Sequence, residues 1–197
     1  MSNSDRWFRY YGESTLKHVG FKKGQTVLDF GCGSGYYAIP IAKIIGEQCQ
    51  VYALEKDRME LERLISRAKL MGLKNIVSLD TTGNSSIPLD NESVDVVLLY
   101  DVLHHYFYPR EDARRKLLSE LWRVLKPGGM LSLFPTHLGS DMDPKLADIE
   151  REIKDASFQK EIEFRDLQVM HDGGLQKGRV INFSKQQLIP EKNHQPQ

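Results

Sequence analysis

The stretch Val27-Leu28-Asp29-Phe30-Gly31-Cys32-Gly33-Ser34-Gly35-Tyr36-Tyr37 decides the fold. An apolar run carrying one carboxylate leads into three glycines at alternate positions, after which an apolar pattern resumes. Glycine is needed where a backbone takes left-handed dihedrals or lies against a ligand with no Cβ in the way. A glycine turn that leaves a buried strand and opens a helix sits at the carboxyl ends of the strands, where open α/β sheets bind ligands. Dinucleotide sites also use such turns, but their third glycine falls three residues after the second. Here that position is Tyr36, and the third glycine comes one residue earlier, at Gly35. Asp29 would repel a pyrophosphate, and it suits a cationic or amine-bearing ligand.

Outward from this turn, two kinds of segment alternate. Residues 26–30, 50–54, 75–79, 94–100 and 130–134 are short apolar runs, mostly rich in β-branched side chains, and each reads as a strand buried on both faces. Over 58–71, Leu61, Leu64, Ile65 and Ala68 recur at helical spacing, with Asp57 placed to cap the start and Gly72 to end it. Over 111–125, Ala113, Leu117, Leu118, Leu121 and Leu125 form one stripe, stopped by Lys126-Pro127-Gly128-Gly129. Such alternation implies right-handed crossovers and a doubly wound, Rossmann-like, mostly parallel sheet. Residues 145–156 read as a further helix. Residues 161–169 and 179–185 read as neighbouring strands around a turn-rich HDGGLQKG, an antiparallel hairpin that completes a seven-stranded α/β sheet at its C-terminal edge.

Composition narrows the function classes. The 27 Lys and Arg balance 27 Asp and Glu, so no global basic field is present to hold nucleic acid. No apolar run approaches the roughly 20 residues that span a bilayer, and the N-terminus MSNSDRWFRYY lacks an apolar signal core; the expectation is a soluble cytoplasmic protein. Cys32 and Cys49 make neither a disulfide framework nor a metal knuckle, and no metal is expected. Cys32 has no paired base nearby in sequence and reads as a small residue filling a tight turn.

At VLDFGCGSG the chain resembles the class I S-adenosylmethionine-dependent methyltransferases, whose first motif is an apolar residue, any residue, an acid, and then three alternate glycines. The resemblance extends over roughly residues 20–185, through VYALEKD (51–57), PLDNESVDVV (88–97), DVLHH (101–105) and LKPGGML (125–131). It is closest to the small-molecule, quinone-biosynthesis-like group. It implies S-adenosylmethionine as cofactor, S-adenosylhomocysteine as product, and a cofactor site of Asp29, Gly31, Cys32, Gly33, Gly35, Glu55, Lys56, Tyr100 and Asp101. Glu55 would accept from both ribose hydroxyls, as an ionised carboxylate can. Many relatives carry a Gly-Asp pair after the third strand that meets the adenine amine. Thr82, Gly83 and Asn84 stand there instead, leaving the Thr82 hydroxyl, the Asn84 amide, or Asp80 in another register to make that contact.

The resemblance further implies residues 1–25 as an N-terminal helical cap, 26–186 as the methyltransferase domain and 187–197 as a loose tail. The aromatic residues Trp7, Phe8, Tyr10 and Tyr11 either bury a capping helix or form a lid that brings Tyr10 and Tyr11 near the substrate. His104 and His105, just past the fourth strand, are candidates to take a proton from the incoming nucleophile, and His137 lies on the substrate side. The expected activity is methyl transfer by in-line displacement to a small-molecule acceptor, in a homodimer or a monomer. The Asn/Asp-Pro-Pro-Tyr signature of nucleic-acid amino methylases is absent, and a nucleic-acid substrate is not expected. The alternatives are a cofactor-binding subunit that acts through a partner, and an NAD(P)-dependent oxidoreductase, which Tyr36 disfavours.

Overall fold

Seven strands form in chain order: β1 (Val27–Phe30), β2 (Val51–Leu54), β3 (Ile76–Leu79), β4 (Val94–Tyr100), β5 (Leu125–Phe134), β6 (Phe158–His171) and β7 (Gly174–Lys185). They belong to a computed structural model that describes residues 1–79, 86–138 and 143–186. The strands make one sheet of order β3-β2-β1-β4-β5-β7-β6. The first five are mutually parallel, and β7 pairs antiparallel with both β5 and β6. This is the doubly wound architecture expected from the sequence. Thr82, Gly83 and Asn84, like the 187–197 tail, lie outside the described residues.

Helices cover both faces. They are α1 (Asn3–Arg6), continuing through a π-helical segment (Trp7–Tyr11) into α2 (Gly12–Val19), then α3 (Ala38–Ile45), α4 (Arg58–Leu70), α5 (Glu111–Val124) and α6 (Leu146–Asp155). The two-residue period of β4 divides the core. Val96, Leu98 and Tyr100 pack with Ile39, Ile41 and Leu64 of α3 and α4. Val97 and Leu99 pack with Leu118, Leu121 and Ile149 of α5 and α6. Each such apolar side chain contributes about 1.5–3 kcal/mol when fully buried. Asp57 caps α4 as its position predicts, accepting from the Met59 and Glu60 amides at 2.8 and 3.3 Å. No helix among the described residues is long and apolar enough to cross a membrane.

Two local readings change. The Lys126-Pro127-Gly128-Gly129 stretch, expected to end the helix and precede the next strand, follows the end of α5 at Val124 but lies inside β5. Val94 pairs with Leu125 and Val96 with Met130, so four residues bulge out of the ladder. Lys126 Nζ anchors the bulge on Asp95 Oδ1 at 2.8 Å. The C-terminal hairpin is also longer than 161–169 and 179–185. The turn shrinks to Asp172-Gly173, with His171 paired to Gly174. Both turn residues have positive φ, 48° and 72°, as a two-residue type I′ connection requires.

A buried ion pair ties α5 to α6. Arg114 donates from Nε and Nη2 to the two oxygens of Glu152, at 2.8 and 2.7 Å, and from Nη1 to the carbonyls of Tyr108 and Pro109. Both side chains are almost wholly buried. Glu152→Ala is therefore expected to lower the unfolding free energy by about 3–5 kcal/mol in a denaturant titration, since it leaves a guanidinium buried without its counter-charge.

Candidate cofactor and acceptor site

The glycine turn sits above β1, between the ends of β2 and β4, where the strand order reverses. Gly31, Gly33 and Gly35 all have positive φ (77°, 49° and 87°). A Cβ on Gly35 would stand 2.2 Å from Leu64 Cδ1, and one on Gly31 2.8 Å from Val102 Cγ2. A Cβ on Gly33 meets nothing within 4 Å among the described residues. Gly31 and Gly35 thus serve the packing of the turn, while Gly33 borders the open space a ligand needs. Cys32 is buried, and its thiol is pushed up by burial and by the nearby Asp29 and Glu55 carboxylates. It is a filler of the turn and not a thiolate nucleophile.

Two carboxylates flank the turn. Asp29 is only 2% exposed, and its Oδ2 has no hydrogen-bond partner among the described residues. Burial first and Glu55 second raise its carboxyl to about 7, against the opposing backbone N–H of Ala38. A desolvated, half-satisfied carboxyl group suits a cation arriving from outside. Glu55 is half-buried; Oε2 accepts from the Gly33 amide at 3.0 Å and Oε1 from the Asp57 amide at 2.9 Å. Two amides fix the carboxylate and leave lone pairs on both oxygens for a vicinal diol. Lys56, which follows Glu55, places Nζ 4.4 Å from the centre of the Phe107 ring.

Around the end of β4 the expected residues part company. Tyr100, expected to line the cofactor, is buried: its hydroxyl meets Ser132 Oγ at 2.9 Å, and its ring stands edge-on to Tyr37 and Phe134. It supports the floor of the crevice from below. Asp101, at φ 57°, points into a group of histidines. His104 Nε2 and His137 Nε2 are each 3.8 Å from Asp101 Oδ1. His171 Nε2 is 3.5 Å from Asp101 Oδ2 and 3.0 Å from His137 Nε2. Burial pushes His104 below its usual value, with Asp101 opposing. His105 is separate. Its Nδ1 lies 2.5 Å from Asp143 Oδ1, and its backbone amide donates to the same oxygen. Tyr10 faces solvent, and the Tyr11 hydroxyl accepts from Arg6.

Sequence reasoning missed His171, the partner of His137. The signal lay in the hairpin topology: β6 runs parallel to β5, so its carboxyl end returns to the edge where β1 and β4 end.

The glycines give a direct test. Gly35→Ala is expected to cost about 1–3 kcal/mol beyond the strain shared with Gly33→Ala, because it alone forces Leu64 from its place. Urea unfolding of the two variants side by side checks this.

Comparison with known proteins fits this geometry. Residues 28–133 match the methyltransferase domain family. A tRNA U34 carboxymethyltransferase of Desulfotalea psychrophila is 34% identical over 117 residues, 59% of this chain and 34% of that protein. A demethylmenaquinone methyltransferase of Geobacillus kaustophilus is 29% identical over 119 residues, 60% of this chain and 48% of its own. The chain thus spans a third to a half of the length of these curated relatives. A SAM-dependent methyltransferase structure from Aquifex aeolicus superposes with a TM-score of 0.71 at 23% identity, covering 92% of this chain and 93% of that one. The matched segment holds Asp29, the three glycines, Glu55 and Asp101, and the chain belongs to the S-adenosylmethionine-dependent methyltransferase family of class I fold.

Proposed function

We propose that the protein is an S-adenosylmethionine-dependent methyltransferase acting on a small-molecule acceptor by in-line displacement. The observation that carries this reading is the pairing of an orphaned, buried Asp29 oxygen with an amide-fixed Glu55 across an open glycine turn. Asp29 would hold the amine end of the cofactor, the backbone around Gly33 would let it approach, and Glu55 would take the ribose hydroxyls. Bound there, the cofactor supplies an electrophilic methyl group on a sulfonium. The chain itself has to hold donor and acceptor in line, an orientation effect of about 7–11 kcal/mol.

His105 would take a proton from an acceptor that needs deprotonating, a role supported by its contact with Asp143. With Nδ1 bound to the Asp143 carboxylate, the neutral ring keeps its acceptor lone pair on Nε2. A small molecule is favoured as acceptor by the balanced charge. The α5 arginines are also engaged: Arg110 pairs with Asp112, Arg115 with Glu111, and Arg123 with Glu120. Their charge is met by these carboxylates, which supports an acceptor other than a phosphate backbone.

Calorimetric titration is expected to give micromolar binding of S-adenosylmethionine and S-adenosylhomocysteine, weakened about tenfold or more by Glu55→Ala. Binding of NAD alone, or of no adenosyl ligand, would sink the proposal.

Asp29 adds a pH dependence. Its carboxyl is raised in the folded protein, so the stability linked to its proton is full below the unfolded value near 4 and lost as pH rises through about 7. Relative to Asp29→Asn, the wild-type chain is expected to lose roughly 2–4 kcal/mol of stability across that window and to change little above it. Denaturant unfolding of both proteins at pH 4, 5.5, 7 and 8 measures this. The same variant is expected to bind the cofactor more weakly at pH 8.

A further inference from the structure

We propose that Asp101, His137 and His171, with Asp172 as an outlying fourth donor, form a binding site for a divalent transition-metal ion of the zinc class. The site goes beyond methyl transfer itself and departs from the sequence expectation of no metal. One donor atom from each of these four residues lies within 4.8 Å of all the others. They come from three separate places: the end of β4, the segment after β5, and the tip of the β6–β7 hairpin.

The donor atoms are gathered to within a few tenths of an ångström of coordination-shell spacing, and an ion would have to draw them into it. Metal bonds of about 2.0–2.2 Å in tetrahedral geometry set donor atoms roughly 3.3–3.6 Å apart. The separations here are 3.0 Å between His137 Nε2 and His171 Nε2, 3.5 Å from His171 Nε2 to Asp101 Oδ2, 3.8 Å from His137 Nε2 to Asp101 Oδ1, and 3.7 Å from His171 Nε2 to Asp172 Oδ2. A hydrogen bond between the two imidazoles accounts for the first distance alone. It does not account for two carboxylates directed at the same point. Two imidazoles with carboxylate oxygen form a donor set that favours zinc, iron, cobalt or nickel over magnesium or calcium.

The surroundings support the donors. Thr136 Oγ1 donates to Asp101 Oδ1, which leaves Oδ2 facing His171. The His171 ring stands edge-on to Phe134 at 6.2 Å, and His104 backs Asp101 from the buried side. Such outer contacts fix ligand orientation. Asp101 and His137 hold left-handed φ values (57° and 52°), an arrangement that costs free energy and concentrates at functional sites. His137 and Asp172 are exposed, so an ion here keeps coordination positions open toward solvent, on the side from which an acceptor would reach Asp101.

The test uses the untagged full chain, freed of metal with a chelator and titrated with Zn²⁺ against a chromophoric competitor. Binding of one ion per chain is expected, weakened about tenfold or more in His137→Ala and in His171→Ala. It should be unchanged in His18→Ala, which removes an exposed histidine on α2. Co²⁺ in place of Zn²⁺ should give visible absorption bands that both cluster variants lose. Should those variants misfold by circular dichroism, Asp172→Asn, which tolerates the turn, is expected to weaken Zn²⁺ binding on its own. Absence of Zn²⁺ binding, or binding that survives the histidine substitutions, overturns the site. S-adenosylmethionine titration of the same samples separates the two readings, because failure of the metal alone leaves the methyltransferase reading in place.

Discussion

One four-residue strand sets the position of everything chemical in this molecule. β1 is hydrogen-bonded on both edges, to β2 from Val27↔Val51 through Phe30↔Leu54 and to β4 from Val27↔Val96 through Asp29↔Leu98. Because the strand order reverses there, the chain leaves β2 on one side toward Glu55 and β4 on the other toward Asp101. The glycine turn rises in the gap between them. The same double pairing lets a carboxyl group be carried into the core. Asp29 gains little hydrogen bonding of its own, and it is held by the packing of Val27 and Leu28, both fully buried on either side of the sheet.

The glycine turn is itself fixed from outside. Trp7 donates from Nε1 to the Tyr36 carbonyl at 2.6 Å, Phe8 stacks on the Tyr36 ring, and the Arg67 guanidinium lies over both rings while donating to the Ser34 carbonyl. The next residue, Tyr37, pairs its hydroxyl with both the carbonyl and the amide of Met170. Met170 directly precedes His171. The turn that would hold the cofactor and the hairpin that carries a histidine of the rim therefore share one hydroxyl group. A displacement of either is felt by the other.

How far the sequence could be read follows from how far apart the partners lie. Strands β1, β2 and β4 were legible because buried parallel strands are short, continuous and apolar, and α4 because Asp57 and Gly72 mark its ends. β3 was found by the same apolar signal, but it lies at the sheet edge with Ser78 exposed and is not buried on both faces as expected. The glycine turn and Glu55 were legible because their chemistry is local. The limits of β5, β6 and β7 were not. A bulge hides a strand behind Pro127 and two glycines, and an Asp-Gly turn was obscured by the glycine that follows it. The histidine cluster was half legible. His104 and His137 stand beside strand ends already identified, whereas His171 and Asp172 arrive from 34 or more residues along the chain through antiparallel pairing. Tyr100, the last residue of β4, turns its ring into the layer that strand parity dictates, against Tyr37 and Phe134.

The outer edge of the sheet is β6, fourteen residues long, with ladder irregularities between Lys160 and Ile162 and between Phe164 and Leu167. A long, flat edge is a template on which a second chain can add strand to strand. Here the edge is neither flat nor apolar. Lys160 is paired to Glu150 and Glu163, Arg165 and Arg179 also reach Glu163, and Glu161 accepts from Ser184. Any molecule docking edge-on would have to strip these charges of water and straighten both bulges. The hairpin that brings His171 to the rim thus carries its own protection against aggregation.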